Sequence, residues 1–229
     1  MGVRERKERE KEQRRQDILV SARAAFEKHG LQHTSMDRIA SEAELAKGTL
    51  YIYYKNRNEL LMALIAEDLE RLLEQLEIVA KGRERADKKL LKAVTTFHTF
   101  STQNDFLYRV MTHMDMGELL CAQDIGPSEA VIAFKQLNDR MLEILVKLVQ
   151  EGVDTGLYKL DNPVRYVVLQ LLFALKGTMV ILRNRMVPPD WADMDAAKVM
   201  HDTAVLFIKG MTCPLTTKQQ TTHTSKVPS

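Results

Sequence analysis

The sequence is poor in the residues that usually carry catalysis, disulfides or metal sites. Its 229 residues include two cysteines, six histidines and one tryptophan. Cys121 and Cys213 offer neither a disulfide framework nor a zinc-binding spacing. The chain also lacks the G-x-S-x-G, H-E-x-x-H, P-loop and repeated Glu-x-x-His patterns of common enzymes. We therefore expect a protein that is not an enzyme and that uses no cofactor or metal.

Proline and glycine are also scarce, and this scarcity indicates the fold class. The chain has six prolines and ten glycines, clustered at a few places. Between these clusters run long segments in which apolar residues recur at helical spacing. The pattern predicts an all-α protein of about nine helices.

The chain has no large excess of either charge, no signal peptide and no long apolar run. A formal net charge of only +2 excludes a globally basic nucleic-acid coat but allows a local basic patch. The N-terminus is densely charged, and Lys176 interrupts the longest apolar candidate before it reaches about 18 residues. We therefore expect a cytoplasmic protein that does not associate with membranes.

The segment 34–55 predicts two short helices joined by a tight turn. Thr34 and Asp37 match the Ser/Thr-x-x-Asp/Glu helix start, in which side chains satisfy free backbone N–H groups. The second helix is predicted to begin near Lys47 and to turn Leu50 and Tyr54 toward the core. Such a helix-turn-helix is typical of DNA-binding proteins, although small bundles that bind nothing also contain it.

The outward side of this second helix combines a cation, a hydroxyl and two phenols. These side chains are Lys47, Thr49, Tyr51 and Tyr53, and they suit phosphate oxygens and base edges. Gly48 removes a side chain at a point where a backbone would approach a partner closely. We therefore interpret this surface as DNA-binding.

Several dispersed segments of the first 65 or so residues resemble the tetracycline-repressor (TetR/AcrR) family. They are Lys47–Lys55, Asn58–Leu61, Ala24–Leu31 and Met36–Ala40, and they agree with the family in order and spacing. One departure is Tyr54, where the family commonly has phenylalanine. The resemblance implies an N-terminal three-helix helix-turn-helix domain and a larger C-terminal helical domain for effector binding and dimerisation.

The resemblance also implies a set of DNA contacts. The side chains that would face the major groove are Lys47, Thr49, Tyr51 and Tyr53. Three further residues would hold phosphates, and Gly48 would allow the backbone to approach the DNA closely. The full set is Ser35, Lys47, Gly48, Thr49, Tyr51, Tyr53, Lys55 and Arg57. Helix N-termini and Lys or Arg side chains suit anions, which agrees with this division of roles.

The middle of the chain contains aromatic, methionine and histidine side chains suited to a pocket for a largely apolar effector. The candidates are Phe97, His98, Phe100, Phe106, Met111, His113, Met114 and Phe134. The same residues could equally form an ordinary helical core. A soft-metal site at His113, Met114, Met116 and Cys121 is disfavoured because these residues have no repeated spacing.

The chain divides into three predicted parts. Residues 1–60 form the DNA-binding domain, 61–211 the ligand-binding and dimerisation domain, and 212–229 a disordered tail rich in Thr, Gln, Lys and Ser. A helix over 57–80 connects the two domains. Helices at about 163–185 and 191–210 are the candidate homodimer surface, since the first is apolar on more than one face. They could instead complete the core of a monomer.

Residues 1–15 interleave seven Lys and Arg with four Glu. We interpret them as a solvated extension of the first helix, because the glutamates cancel much of the charge. The alternative is an arm that reaches DNA phosphates or a minor groove.

Together these features predict a ligand-responsive transcriptional regulator. We expect a homodimeric repressor that a small, largely apolar effector releases from a pseudo-palindromic double-stranded DNA operator. Two other classes stay open: a ligand-independent architectural DNA binder, and a helical-bundle enzyme with an accessory helix-turn-helix.

Overall fold

A computed structural model describes residues 2–113, 128–184, 186, 188 and 194–212. These residues form helices and no strands, as the sequence predicted. In chain order the helices are α1 Val3–His29, α2 Met36–Glu42, α3 Lys47–Tyr53, α4 Arg57–Ala80, α5 Ala86–Gln103, α6 Asp105–His113, α7 Glu129–Asp154, α8 Val164–Arg183 and α9 Ala196–Thr212.

Helices α1 to α3 form a small three-helix unit at the N-terminal end. Leu50 and Tyr54 are buried, as predicted from their four-residue spacing. The predicted start of α2 is wrong by one residue, because Ser35 is its N-cap and accepts a hydrogen bond from the backbone N–H of Arg38. The Thr34 hydroxyl instead contacts two backbone carbonyls as a donor, that of Ala25 near the end of α1 and that of Gly30 just after it. These contacts fix the connection between α1 and α2.

Helix α4 connects this unit to the rest of the chain. Asn56 caps its first turn by accepting from the backbone N–H of Glu59, and the helix ends at Ala80 as predicted. Its N-terminal half packs in one apolar cluster with α1, α2 and α3, and its C-terminal half packs in a second. The first cluster runs on to Leu69 and includes parts of α6 and α7, so it crosses the predicted domain boundary at residue 60.

Helices α5 to α9 surround the second half of α4 to form the body. The start of α8 is also shifted by one residue from the prediction: Pro163 rather than Asn162 is the cap, and the helix begins at Val164. Helix α9 begins at Ala196. The sequence predicted that this helix starts near residue 191, and residues 191–193 lie outside the described residues. The predicted tail beyond residue 212 also lies outside them.

Among the described residues, one helix is long and apolar enough to cross a membrane, namely α8 over Val164–Arg183. Lys176 lies within this helix and interrupts its apolar run, as the sequence indicated, but the mean hydropathy of the helix is still high enough. A single helix of this kind is weak support for a membrane span, since the core helices of soluble proteins pass the same test. Here one side of α8 packs into the body through Val168, Leu171, Leu175 and Met179.

Candidate nucleic-acid interface and effector cavity

The outward surface of α3 is less uniform than its sequence indicates. Lys47 and Tyr51 are exposed, and Tyr51 keeps 42% of its surface accessible. Thr49 and Tyr53 are half-buried, and Tyr53 packs against the N-terminal apolar cluster. The four side chains therefore do not form one equally exposed row.

Ile52 is a surface residue that the sequence pattern did not single out. Its side chain is 78% exposed, on the second short helix between the two predicted tyrosine contacts. Its exposure on the outer side of α3 makes it available to a partner, and apolar side chains in the major groove contact the methyl group of thymine. The sequence did contain a signal for this residue, namely its position between Tyr51 and Tyr53 on a helix that turns Leu50 inward.

Lys47 forms an ion pair between the two short helices at their outer surface. Its ammonium group lies 2.5 Å from the Asp37 carboxylate on α2. The hydrogen bond to this carboxylate raises the pKa of Lys47, so the side chain stays charged. The pair is exposed, so an acceptor atom on a base edge could replace the carboxylate as the partner of Lys47.

Gly48 is not required by packing within the chain. A Cβ atom built at this position meets no atom within 4 Å. Its backbone φ is not in the left-handed region, so no strain explains the glycine either. The open space is therefore available to an external partner.

The three predicted phosphate-binding residues have different environments. Ser35 lies at the exposed start of α2, where its hydroxyl caps the helix. The Lys55 side chain is exposed after α3. Arg57 is engaged inside the domain: its Nε donates to the carbonyl of Thr34 at 2.8 Å, and its guanidinium stacks over Phe26. Arg57 thus positions the α1–α2 connection, and its phosphate contact stays a prediction.

Tyr54, the departure from the family pattern, makes a contact that phenylalanine could not. Its hydroxyl accepts a hydrogen bond from Arg15 Nε at 3.2 Å, and the guanidinium also lies over its ring. Burial raises the pKa of this phenol to about 12, so it stays protonated. Arg15 also lies 3.5 Å from Glu129 at the start of α7, which links the end of α3 to the body.

A second and stronger link joins α1 to the body. Arg23 donates two hydrogen bonds, of 2.8 and 3.0 Å, to the carboxylate of Asp68 on α4, whose side chain is completely buried. The same guanidinium lies 4.8 Å from the ring centroid of Phe106 in the first turn of α6. A planar Arg side chain can make both contacts at once, and its removal would leave the buried carboxylate with only the exposed Arg71, 3.9 Å away.

The body contains an apolar cavity of about 350 Å³. Helices α4 to α8 all contribute to its wall, which is almost entirely aliphatic and aromatic. Its polar members are Thr112, Asn138 and Lys176. Thr112 already donates to the carbonyl of Tyr108, whereas Lys176 is exposed and has no ion-pair partner in the described part of the chain.

The cavity includes only some of the residues predicted for it. Phe97, Met111 and Phe134 line it. His98, Phe100 and Phe106 do not: Phe106 lies in the N-terminal cluster and His98 is buried with no hydrogen-bond partner for its Nε2 in the described structure. The His113 side chain and Met114, like Met116 and Cys121, lie outside the residues whose side chains are described. No group of acidic, His or Cys side chains suited to a metal occurs among the described residues.

The outer side of α8 is strongly apolar although it faces solvent in the monomer. Tyr166, Leu169, Phe173 and Ile181 are exposed there, with Phe173 at 69%. Leu206 on α9 is similarly exposed. Leu169 and Phe173 also line the cavity, so the cavity opens beside this apolar surface.

These features define a helix-turn-helix protein with a cavity-containing helical body. Residues 18–64 match the family model for bacterial regulatory proteins of the tetR family. A similar curated protein is the fatty acid metabolism regulator protein of Bacillus subtilis (strain 168). It is 24% identical over 148 residues, which cover 65% of this chain and 72% of that protein.

Two solved structures have the same fold. One is the transcriptional regulator FadR from Bacillus subtilis in complex with stearoyl-CoA, with a TM-score of 0.66 and 20% identity, over 85% of this chain and 98% of that one. The other is a TetR/AcrR-family regulator from Thermobifida fusca, with a TM-score of 0.61 and 21% identity, over 86% and 98% of the two chains. Residues 18–64 therefore match the DNA-binding domain of tetR-family regulatory proteins, and the described chain has the fold of these two regulators.

Proposed function

We propose that this protein is a homodimeric repressor whose effector is a long-chain acyl compound with an anionic head group. The observation that carries the proposal is the apolar cavity, whose wall includes residues of α4, α6 and α7, the helices that also pack in one cluster with α1 to α3. A wall of this composition gains binding free energy from apolar chain, at roughly 0.8 kcal/mol per buried CH₂ group. The similarity to a fatty acid metabolism regulator and to FadR with stearoyl-CoA supports the same class of ligand.

The polar end of the effector is assigned to the side of the cavity near α8. Lys176 is the one cation in the described cavity wall. A carboxylate or phosphate there would form a charge-assisted hydrogen bond without burying an unpaired charge. The acyl chain would then extend among the side chains of α4, α5 and α6.

The proposed signal passes through α4 and α6. Ile65 and Leu69 of α4 line the cavity and also belong to the cluster that contains the DNA-binding helices. On α6, Leu107 lines the cavity while the neighbouring Phe106 contacts Arg23 of α1. An effector that shifts either helix would tilt the three-helix unit and change the separation of the two α3 helices in a dimer. Coupling of about 1–3 kcal/mol would change DNA affinity roughly 5–150-fold.

The proposed dimer forms through α8 and α9. Their exposed apolar residues make a surface larger than isolated surface hydrophobics would give, and dimerisation would remove it from water. A dimer would also place two α3 helices on one face of a duplex, as a pseudo-palindromic operator requires. We propose that this complex acts on DNA in the cytoplasm, and that residues 1–60 and 61–211 act as its DNA-binding and effector domains.

A ligand series tests the effector assignment. Stearoyl-CoA, octanoyl-CoA and free CoA are titrated by calorimetry, and DNA release is followed by fluorescence anisotropy on a duplex selected by the protein from a random library. We expect affinity to rise with chain length and bound acyl-CoA to release the duplex. Ala93→Leu, which fills part of the cavity, should weaken stearoyl-CoA binding while DNA binding persists. Equal binding of CoA and stearoyl-CoA would contradict the proposal.

A further inference from the structure

The N-terminal part of α1 extends beyond the folded domain. The helix begins at Val3, yet its first buried residue is Ile18, and residues 3–14 are all exposed. At about 1.5 Å per residue these twelve residues extend roughly 18 Å. Residues 3–14 bury no side chain against the body, so packing alone does not explain this extension of the helix.

The helix brings three cations of this segment onto one side. Lys7, Lys11 and Arg14 follow one another at spacings of four and three residues, and therefore lie on one side of the helix. We call these three residues the cationic stripe. They have no ion-pair partner in the described part of the chain, whereas Arg6, on another side, is paired with Glu10 at 2.8 Å.

The direction of the cationic stripe follows from contacts further along the same helix. Eighteen residues, or about five turns, separate Lys11 from His29, so both point in nearly the same direction. His29 contacts Glu42 on α2 at 3.1 Å. The cationic stripe is therefore on the side of α1 that faces the helix-turn-helix.

Two of the four acidic residues of the same segment, Glu5 and Glu12, point toward the body. Glu5 precedes Arg23 by the same eighteen residues, and Arg23 pairs with Asp68 of α4. Glu12 lines a groove with residues of α4 and α7.

Glu8 and Glu10 lie one turn from Lys11 and Arg14 and border the cationic stripe. Because Glu10 pairs with Arg6, this side of the helix keeps an excess of positive charge.

We infer that the cationic stripe binds the phosphate backbone of the duplex beside the half-site read by α3. The inference rests on the DNA-binding function of the domain, and the stripe continues the side of α1 that packs on α2. Phosphates are the partner that three adjacent unpaired cations fit, since each contact releases condensed counterions. An overhang of roughly 18 Å would cover about five base pairs beyond the half-site, at about 3.4 Å per base pair.

Two charge-matched double variants test this assignment. Lys7→Gln with Lys11→Gln removes two cations from the stripe, and Arg6→Gln with Arg9→Gln removes two from other sides of the same segment. Glutamine keeps a good helix propensity, and circular dichroism confirms that helix content is unchanged. The probe is a duplex selected by the wild-type protein from a random library, and binding is measured across a range of salt concentrations.

The stripe variant should flatten the plot of log affinity against log salt by about 2 per subunit, because each lost phosphate contact removes roughly 0.9 from the slope. The control variant should keep the wild-type slope. Trimming about five base pairs from each end of the duplex should weaken the wild type but not the stripe variant.

Equal changes in both variants, or no change in either, would overturn the assignment while leaving DNA binding by α3 intact. A wild-type protein that selects no duplex at low salt would overturn both the assignment and the DNA-binding function on which it rests.

Discussion

The three-helix unit α1 to α3 and the body are both helical, but their candidate functional residues are arranged differently. In the N-terminal unit, spacing separates the buried Leu50 and Tyr54 from the exposed Lys47 and Tyr51, although other predicted contacts are half-buried. In the body, the cavity wall and the core consist of the same aliphatic and aromatic residues. Position along a helix therefore identifies an interface well and identifies a cavity poorly.

The connection between the two regions should show the largest mutational effect. Arg23→Met removes both hydrogen bonds that Arg23 donates to the completely buried Asp68 and should cost about 3–5 kcal/mol of unfolding free energy. Urea denaturation measures this loss. Arg71→Met is the control, because Arg71 is exposed and 3.9 Å from the same carboxylate; it should cost less than about 1 kcal/mol.

A double variant separates a lost ion pair from lost packing. Arg23→Met combined with Asp68→Leu replaces the whole pair with apolar groups and should recover much of the stability. If the double variant is no more stable than Arg23→Met alone, the buried charge is not the cause of the loss.

Base recognition by the N-terminal unit should show the next largest effect. Lys47→Ala should alter which duplexes are preferred, by about 1–3 kcal/mol of discrimination at one position. Competition among selected duplexes measures it. Lys55→Ala is the comparison, since a phosphate contact there would weaken all sequences alike. Unchanged preference in Lys47→Ala would remove this residue from base readout.

Gly48→Ala separates folding from DNA binding within α3. A Cβ atom there meets no atom of the chain, and alanine favours the helix over glycine by roughly 0.5–1 kcal/mol. We expect a slightly more stable protein that binds its selected duplex less tightly. Gly152→Ala, in the body, is the contrast: its Cβ would lie 2.1 Å from the Tyr158 ring, so stability itself should fall. Undiminished DNA affinity of Gly48→Ala would show that no partner needs the space.

The smallest expected effect concerns acid stability of the body. Burial lowers the pKa of His98, with a smaller opposing contribution from Asp195. The unfolded chain therefore binds a proton more readily, and stability should fall as pH drops below about 6.5. Urea midpoints of the wild type and His98→Gln, compared at neutral and acidic pH, measure this contribution. His33 is exposed, so the control variant His33→Gln should keep the wild-type dependence of stability on pH. If His98→Gln also kept that dependence, the burial of His98 would not be its cause.

The helix bounds could largely be read from the sequence because local chemistry sets them. Asn56 caps α4 and no proline interrupts it, so its ends at Arg57 and Ala80 were predicted correctly. Where two candidate caps were adjacent, as with Thr34 and Ser35, the prediction chose the wrong one. Tertiary contacts decided that case, since the Thr34 hydroxyl is used by carbonyls of the α1 end and the following loop.

The links between the domains could not be predicted, because they join distant residues. Arg23 and Asp68 are 45 positions apart, and neither belongs to a motif. One signal was present: Asp68 interrupts the apolar stripe of α4 beside Leu69. A carboxylate in that position requires a buried partner, although the sequence does not say which one.

The cavity was predicted in part. Phe97, Met111 and Phe134 line it, but Phe106 belongs to the N-terminal cluster and contacts Arg23 instead. Composition could not separate these cases, since an aromatic side chain suits either environment. The structure thereby gives Phe106 a different proposed role, in the connection between the effector cavity and the DNA-binding unit.

The most direct test is a titration of the wild-type complex with its selected duplex by stearoyl-CoA, with acyl-CoA binding and DNA release measured in the same samples. Effector control through α4 and α6 predicts that the DNA affinity falls by roughly 5–150-fold as the cavity fills. Saturation of the cavity with no change in DNA affinity would contradict it.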